Sequence, residues 1–186
     1  WIFDSCPVIL MIILFLDFDG VLHSDAVYRT RKGLELRAEG RLMMHAPALE
    51  NLLNDFPSVR IVLSTSWVRM LGFRRAKGAL SPGLQARVIG ATWHSAMPRA
   101  PVYGYDLQTR YEQVKTAVGR DGYTRWVALD DDPEFSWVET DNRLVRADSM
   151  VGLGDPQVLI ELHNRLALLC VEELNSQYKP ISWDNL

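Results

Sequence analysis

The chain has 186 residues, 48% of them hydrophobic, and a formal net charge of −3. That length suits one globular domain with a sizeable core, and no overall basic excess announces a nucleic-acid or membrane-surface binder. The two cysteines, Cys6 and Cys170, exclude a disulfide framework, and no Cys/His cluster has zinc spacing, so a reducing, cytoplasmic setting is expected.

An apolar run from Val8 to Leu16 lacks alternation, as a strand covered on both faces does. It falls short of the roughly 20 residues that span a bilayer. It also has no basic region before it and no small-residue cleavage site after it, so no membrane association is expected. Met11 near its head is the expected natural start. Residues 1–10 then form an N-terminal extension, 11–175 a single domain and 176–186 a C-terminal tail.

The run stops at Asp17-Phe18-Asp19-Gly20. Val27–Arg37 reads as a hairpin about Lys32-Gly33. Leu49, Leu52, Leu53 and Phe56 recur at i, i+3, i+4, i+7 between Pro47 and Pro57, a helix of about three turns. Val59–Leu63 is a second β-rich run, closed by Ser64-Thr65-Ser66. A helix over Val68–Lys77 follows, then Ser81-Pro82 as cap and first-turn proline of another, and a short strand at Arg87–Ile89.

Thr109-x-x-Glu112 is a capping box, and Tyr111, Val114 and Val118 stripe a helix that ends at Gly119. Trp126–Leu129 is a strand closed by Asp130-Asp131-Asp132-Pro133, and Arg143–Arg146 is the last strand. Asp155-Pro156 opens a long helix with Val158, Leu159, Leu162, Leu166 and Leu169 on one face. Strands alternating with helices imply an α/β domain with a doubly wound parallel sheet. Only 44 residues separate Asp19 from Ser64, and the hairpin and first helix use most of them, which leaves minimal or no cap domain. Arg69–Asp106 is the place for a small cover.

In an extended chain Asp17 and Asp19 point to the same side, and Gly20 then permits a sharp turn. They stand at the carboxyl end of a strand, where open α/β sheets bind ligands. Two adjacent carboxylates repel and lose solvation unless a cation or a shared proton relieves them. Ser64/Thr65 and Asp130/Asp131/Asp132 end two further strands on that same edge. Together they make a hard, oxygen-only environment of the kind that suits Mg²⁺.

Asp17-Phe18-Asp19-Gly20-Val21-Leu22 resembles the first motif of the haloacid dehalogenase-like (HAD) phosphohydrolases, and the other strand ends resemble their later motifs. In detail the chain looks like the small HAD domains associated with RNA-repair proteins. Those carry a Ser-rich segment followed by Trp, here Ser64-Thr65-Ser66-Trp67, and a late strand followed by Gly-Leu, here Leu144–Arg146 and Gly152-Leu153. The resemblance implies a Rossmann-like catalytic domain and a Mg²⁺-dependent phosphatase. Asp17 is then the nucleophile that forms an aspartyl-phosphate, and Asp19 protonates the leaving group and afterwards activates water. Ser64 donates to the phosphoryl group, with Thr65 and Ser66 as alternatives. Asp131, supported by Asp130, completes a metal site with Asp17 and the main-chain carbonyl of Asp19.

The family's basic residue falls on Arg110, with Lys115 as runner-up. A cation in the first turn of a helix opposes the dipole and gains nothing structurally, whereas a bound anion would reverse that. His23, His45, His94 and His163 lack ligand spacing and read as surface or packing residues, as Trp67 and Trp93 read as core or lid. Arg29/Arg31/Lys32/Arg37 and Arg69/Arg74/Arg75/Lys77 are solvated faces that also flank the strand ends. An uncovered site favours a phosphorylated nucleotide or nucleic-acid end as substrate. A small metabolite is the second reading, and a non-catalytic binding module the third.

Overall fold

The computed structural model describes residues 11–31, 33–95, 97, 105–132, 137 and 142–177. Its central element is β1 (Ile12–Leu16), buried at all five positions because sheet neighbours flank it and helices cover both faces. The sheet also contains β4 (Val59–Leu63), β5 (Val88–Ala91), β6 (Trp126–Asp130) and β7 (Leu144–Arg146). They are all parallel, in the order β5-β4-β1-β6-β7. Strand register is what positions the site: Leu16 pairs with both Leu63 and Leu129, so three strands end level on one edge. This is the doubly wound, Rossmann-like α/β arrangement that strand–helix alternation implies.

Alternate residues of β1 feed two apolar layers. Ile12, Leu14 and Leu16 join Leu49 and Leu53 of α1 (Ala46–Leu53) and Val158, Leu162 and Leu166 of α6 (Pro156–Gln177). Ile13 and Phe15 join Val114 and Ala117 of α5 (Arg110–Asp121), with Trp126 beneath them. Between β1 and β4 lies the expected hairpin, β2 (Val27–Thr30) paired antiparallel with β3 (Gly33–Leu36).

The structure differs from the sequence reading in several boundaries. Helix α1 has eight residues rather than three full turns, and Phe56 is buried from the turn beyond it. The expected helix over Val68–Lys77 is two helices, α2 (Ser66–Leu71) and α3 (Phe73–Gly78), because Gly72 between them adopts φ +88°, ψ +151°. That backbone region is essentially reserved for glycine. Ser81 caps α4 (Pro82–Arg87) by accepting from the Leu84 amide, and β5 starts one residue later than expected. Helix α5 passes through Gly119 and stops at Gly122, whose left-handed φ of +71° terminates it. Residues 69–91 form α2–α4 and β5 rather than a cover. The remainder of that expected cover falls largely outside the described residues, as do residues 1–10 and 178–186. Among the described residues no helix is long and apolar enough to cross a membrane.

Candidate active site

Parallel pairing continues one residue past the strands: the Asp17 amide donates to Leu129 O at 3.1 Å, and the Ser64 amide to Leu16 O at 2.8 Å. Asp17 therefore leaves β1 with its backbone held and its side chain buried. Its Oδ1 accepts from the Phe18 amide at 2.6 Å, and its Oδ2 from Arg110 Nη2 at 2.8 Å. Arg110 Nε reaches Asp130 Oδ2 at 3.1 Å, so one guanidinium ties the ends of β1 and β6 together.

Arg110 is the first residue of α5, and Thr109 is its cap. The Thr109 hydroxyl accepts from the Glu112 amide at 3.2 Å, while the Thr109 amide donates to the Glu112 carboxylate at 2.7 Å. The helix dipole disfavours a cation there, and the two carboxylates more than compensate. Burial opposes the charge on Arg110, but Asp17 and Asp130 outweigh it and shift its pKa upward.

Carboxylate oxygens of Asp17, Asp130 and Asp131 lie within 4.8 Å of one another, a cluster able to hold a cation. Burial is the main reason all three pKa values rise, and mutual repulsion adds to it. For Asp17, Arg110, the Phe18 amide and the Thr65 hydroxyl pull the other way. Asp130 stands well above its usual range, and Asp131 is pushed up to about 7, with Asp17 and Asp25 as its nearby charges. Gly20 makes the cluster possible. Its φ is +68°, and an added Cβ would stand 2.0 Å from Asp131 Oδ2.

The Asp19 carboxylate has its own set of partners, and its charge acts on Asp17. Trp67 Nε1 donates to both its oxygens at 3.0 Å, and Ser66 Oγ lies 3.4 Å from Oδ2. His23 Nε2 lies 3.2 Å from Oδ1. The His23 ring is fully buried, and its Nδ1 accepts from the Met43 amide at 3.4 Å, which assigns the proton of the neutral ring to Nε2, facing Asp19. Sequence reasoning read His23 as a surface or packing residue and Trp67 as core or lid; the one available signal was the spacing Asp19-x-x-x-His23.

The three hydroxyls after β4 take different places. Ser64 Oγ is buried with no hydrogen-bond partner among the described residues. Thr65 caps α2, accepting from the Trp67 amide at 3.4 Å, and also hydrogen-bonds Asp17. Ser66 turns to Asp19. Lys115 Nζ lies over the rings of Tyr111 and Trp126, at 5.8 and 5.9 Å, and is not part of the acid cluster. Tyr105, which sequence reasoning did not single out, sits between the cluster and the end of β5. Its hydroxyl is 2.7 Å from Thr92 Oγ1, and the charges of Arg110 and Asp17 both act on it.

A family model described as the HAD domain in Swiss Army Knife RNA repair proteins matches residues 13–158. No curated protein and no solved structure matches the chain.

Proposed function

The chain belongs to the HAD domains of Swiss Army Knife RNA repair proteins, and from this premise we propose that it is a Mg²⁺-dependent phosphohydrolase that acts through an aspartyl-phosphate on the phosphate ends of nucleic acids or nucleotides. One observation carries the reading. Arg110 joins the buried carboxylate that follows β1 to another at the end of β6, with a third beside them, so the proposed nucleophile, its counter-charge and the candidate cation site coincide.

In the first step an Asp17 carboxylate oxygen attacks phosphorus, and the phosphorus–oxygen bond to the substrate breaks. Asp19 delivers its proton to the departing oxygen. Water then attacks the phosphorus of the aspartyl-phosphate while Asp19 takes a proton, releasing inorganic phosphate and restoring Asp17. Arg110 offsets part of the burial that raises the Asp17 pKa, and it faces the charge that builds on the phosphoryl oxygens. Ser64 Oγ, buried and without a partner among the described residues, can donate to one of those oxygens. Trp67, Ser66 and His23 hold the Asp19 carboxylate in one orientation.

The donor set fits Mg²⁺: all its side-chain ligands are oxygens, and burial, with repulsion from neighbouring carboxylates, raises the pKa of all three. Asp17, Asp130 and Asp131, with the main-chain carbonyl of Asp19, would hold the ion. When bound it offsets negative charge on the transferring group.

The test is phosphate release from an aryl phosphate and from a phosphorylated oligoribonucleotide, with and without Mg²⁺. Asp17→Asn is expected to lose at least about a thousandfold in kcat. Undiminished turnover in that variant would overturn the proposed nucleophile. No turnover by the native chain on either substrate would overturn the enzymatic reading.

A further inference from the structure

Strand register and hydrogen bonds bring one more hydroxyl to the acid cluster. Leu16, Leu63, Ala91 and Leu129 all join the apolar layer that holds α1 and α6. The residues after them, Asp17, Ser64, Thr92 and Asp130, therefore turn to the α5 side. Across the sheet edge they run in the order Thr92, Ser64, Asp17, Asp130, and the Thr92 amide continues the pairing by donating to Leu63 O at 2.9 Å. The Tyr105 hydroxyl stands on this row, 2.7 Å from Thr92 Oγ1. Its main chain is tied to the arginine of the site: Arg110 Nη1 donates to Gln113 Oε1 at 3.3 Å, and Gln113 Nε2 donates to Tyr105 O at 3.2 Å. A single amide side chain thus spaces Tyr105 from the guanidinium that holds Asp17 and Asp130.

Burial raises the phenol pKa more than the Thr92 hydrogen bond and the Arg110 charge lower it, so the hydroxyl keeps its proton at neutral pH. Thr92 Oγ1 has a second contact, to Leu63 O at 3.4 Å, but that carbonyl already accepts from the Thr92 amide. Thr92 accordingly donates over the shorter contact to Tyr105 Oη, which leaves the Tyr105 proton for another acceptor. No other hydrogen bond to this hydroxyl forms among the described residues. Ser64 Oγ, next in the row and also without a partner among them, lies between Thr92 and Asp17. Two strand spacings, about 10 Å, separate the backbones of Thr92 and Asp17. A phosphoryl group with a near-attack contact of about 3 Å on one side and a hydrogen bond of about 2.7 Å on the other fits that span.

We propose that the Tyr105 hydroxyl, oriented by Thr92, is a further substrate contact: it donates to an oxygen of the phosphoryl group that Asp17 attacks, beside Ser64 and Arg110. The assignment rests on the phosphohydrolase reading above and adds to it a donor that no strand-end motif contains.

The experiment follows phosphate release from a phosphorylated oligoribonucleotide with Mg²⁺, and separately the rise in melting temperature that orthovanadate induces with Mg²⁺. Orthovanadate is a probe that presents phosphate-like oxygens without needing turnover. Tyr105→Phe keeps the ring and removes the donor. It is expected to lower kcat about ten- to a hundredfold and to need about tenfold more orthovanadate for the same rise. Its melt without anion shows that the variant folds. Thr92→Val should lose less alone and nothing further in the Tyr105→Phe background, whereas losses that add would overturn the Thr92–Tyr105 chain. Native kcat and native orthovanadate response in Tyr105→Phe would overturn the contact and leave the phosphatase standing. A Tyr105-dependent orthovanadate response in a native chain without turnover would do the reverse. A fall in kcat with the orthovanadate response unchanged would show Tyr105 to act through the fold, and would also overturn the proposal.

Discussion

Arg110 hydrogen-bonds two carboxylates with one side chain, whereas on Asp131 its charge is outweighed: burial, with the charges of Asp17 and Asp25, raises that pKa to about 7. A carboxyl group whose pKa is raised on folding binds its proton more tightly in the folded chain. Its stabilising effect is therefore complete at low pH and is lost as pH climbs from about 4, the unfolded value, through about 7. In chelator, the melting temperature of Asp131→Asn should rise relative to the native chain as pH goes from 5 to 8. Added Mg²⁺ should stabilise the native chain and do far less for the variant, a difference that thermal melts would read directly. Asp19 and its donors give a second test. His23→Ala is expected to lower kcat roughly ten- to a hundredfold by loosening Asp19. His23→Gln, which keeps an N–H donor, should lose less, and the kcat pH profile should separate the two variants. Equal losses with unchanged profiles would mean that His23 only fills space. Asp17 and Asp19 were legible because they interrupt an apolar run. His23 was not, because its role depends on Met43 and Asp19 converging on opposite ring nitrogens, which no spacing displays.

Elements that end cleanly in the sequence end where expected, and those relying on one glycine do not. The strand Val59–Leu63 and the capping box at Thr109 are read correctly because each is bounded by its own chemistry, β-branched residues in one case and a reciprocal hydrogen-bond pair in the other. Two glycines mislead in opposite directions. Gly119 resembles a stop but continues as helix, since Gly122 supplies the left-handed residue, whereas Gly72 sits inside an apolar, helix-like pattern and breaks it. The break separates α2, which presents Ser66 and Trp67 to Asp19, from α3. The cap on α5 offers the prediction at this scale. Thr109→Ala should cost about 1 kcal/mol of stability in a denaturant titration. Because Arg110 is the next residue, kcat should fall as well. A stability loss with kcat intact would show that Asp17 and Asp130 alone are enough to hold Arg110.

At the scale of the molecule, the five-stranded sheet and the level ends of β4, β1 and β6 convert residues scattered from Asp17 to Asp131 into a site a few ångströms across. Gly20→Ala tests how far that convergence tolerates intrusion. The left-handed backbone and the contact with Asp131 should together cost roughly 1–3 kcal/mol and weaken Mg²⁺ binding, measurable as a smaller Mg²⁺-induced rise in melting temperature. Between β1 and β4 the described residues form no regular elements besides the hairpin β2–β3 and helix α1, so among them no large lid stands there. The central position of β1 also fixes an order of events in time. Its partners begin at Val59 and Trp126, so the strand that leads into Asp17 is made before both neighbours and waits for them before its amides are paired. The acid cluster is thereby left incomplete in the growing chain until α5 and β6 have been made, and pulsed hydrogen exchange during refolding should find β1 and β6 gaining protection in a single step.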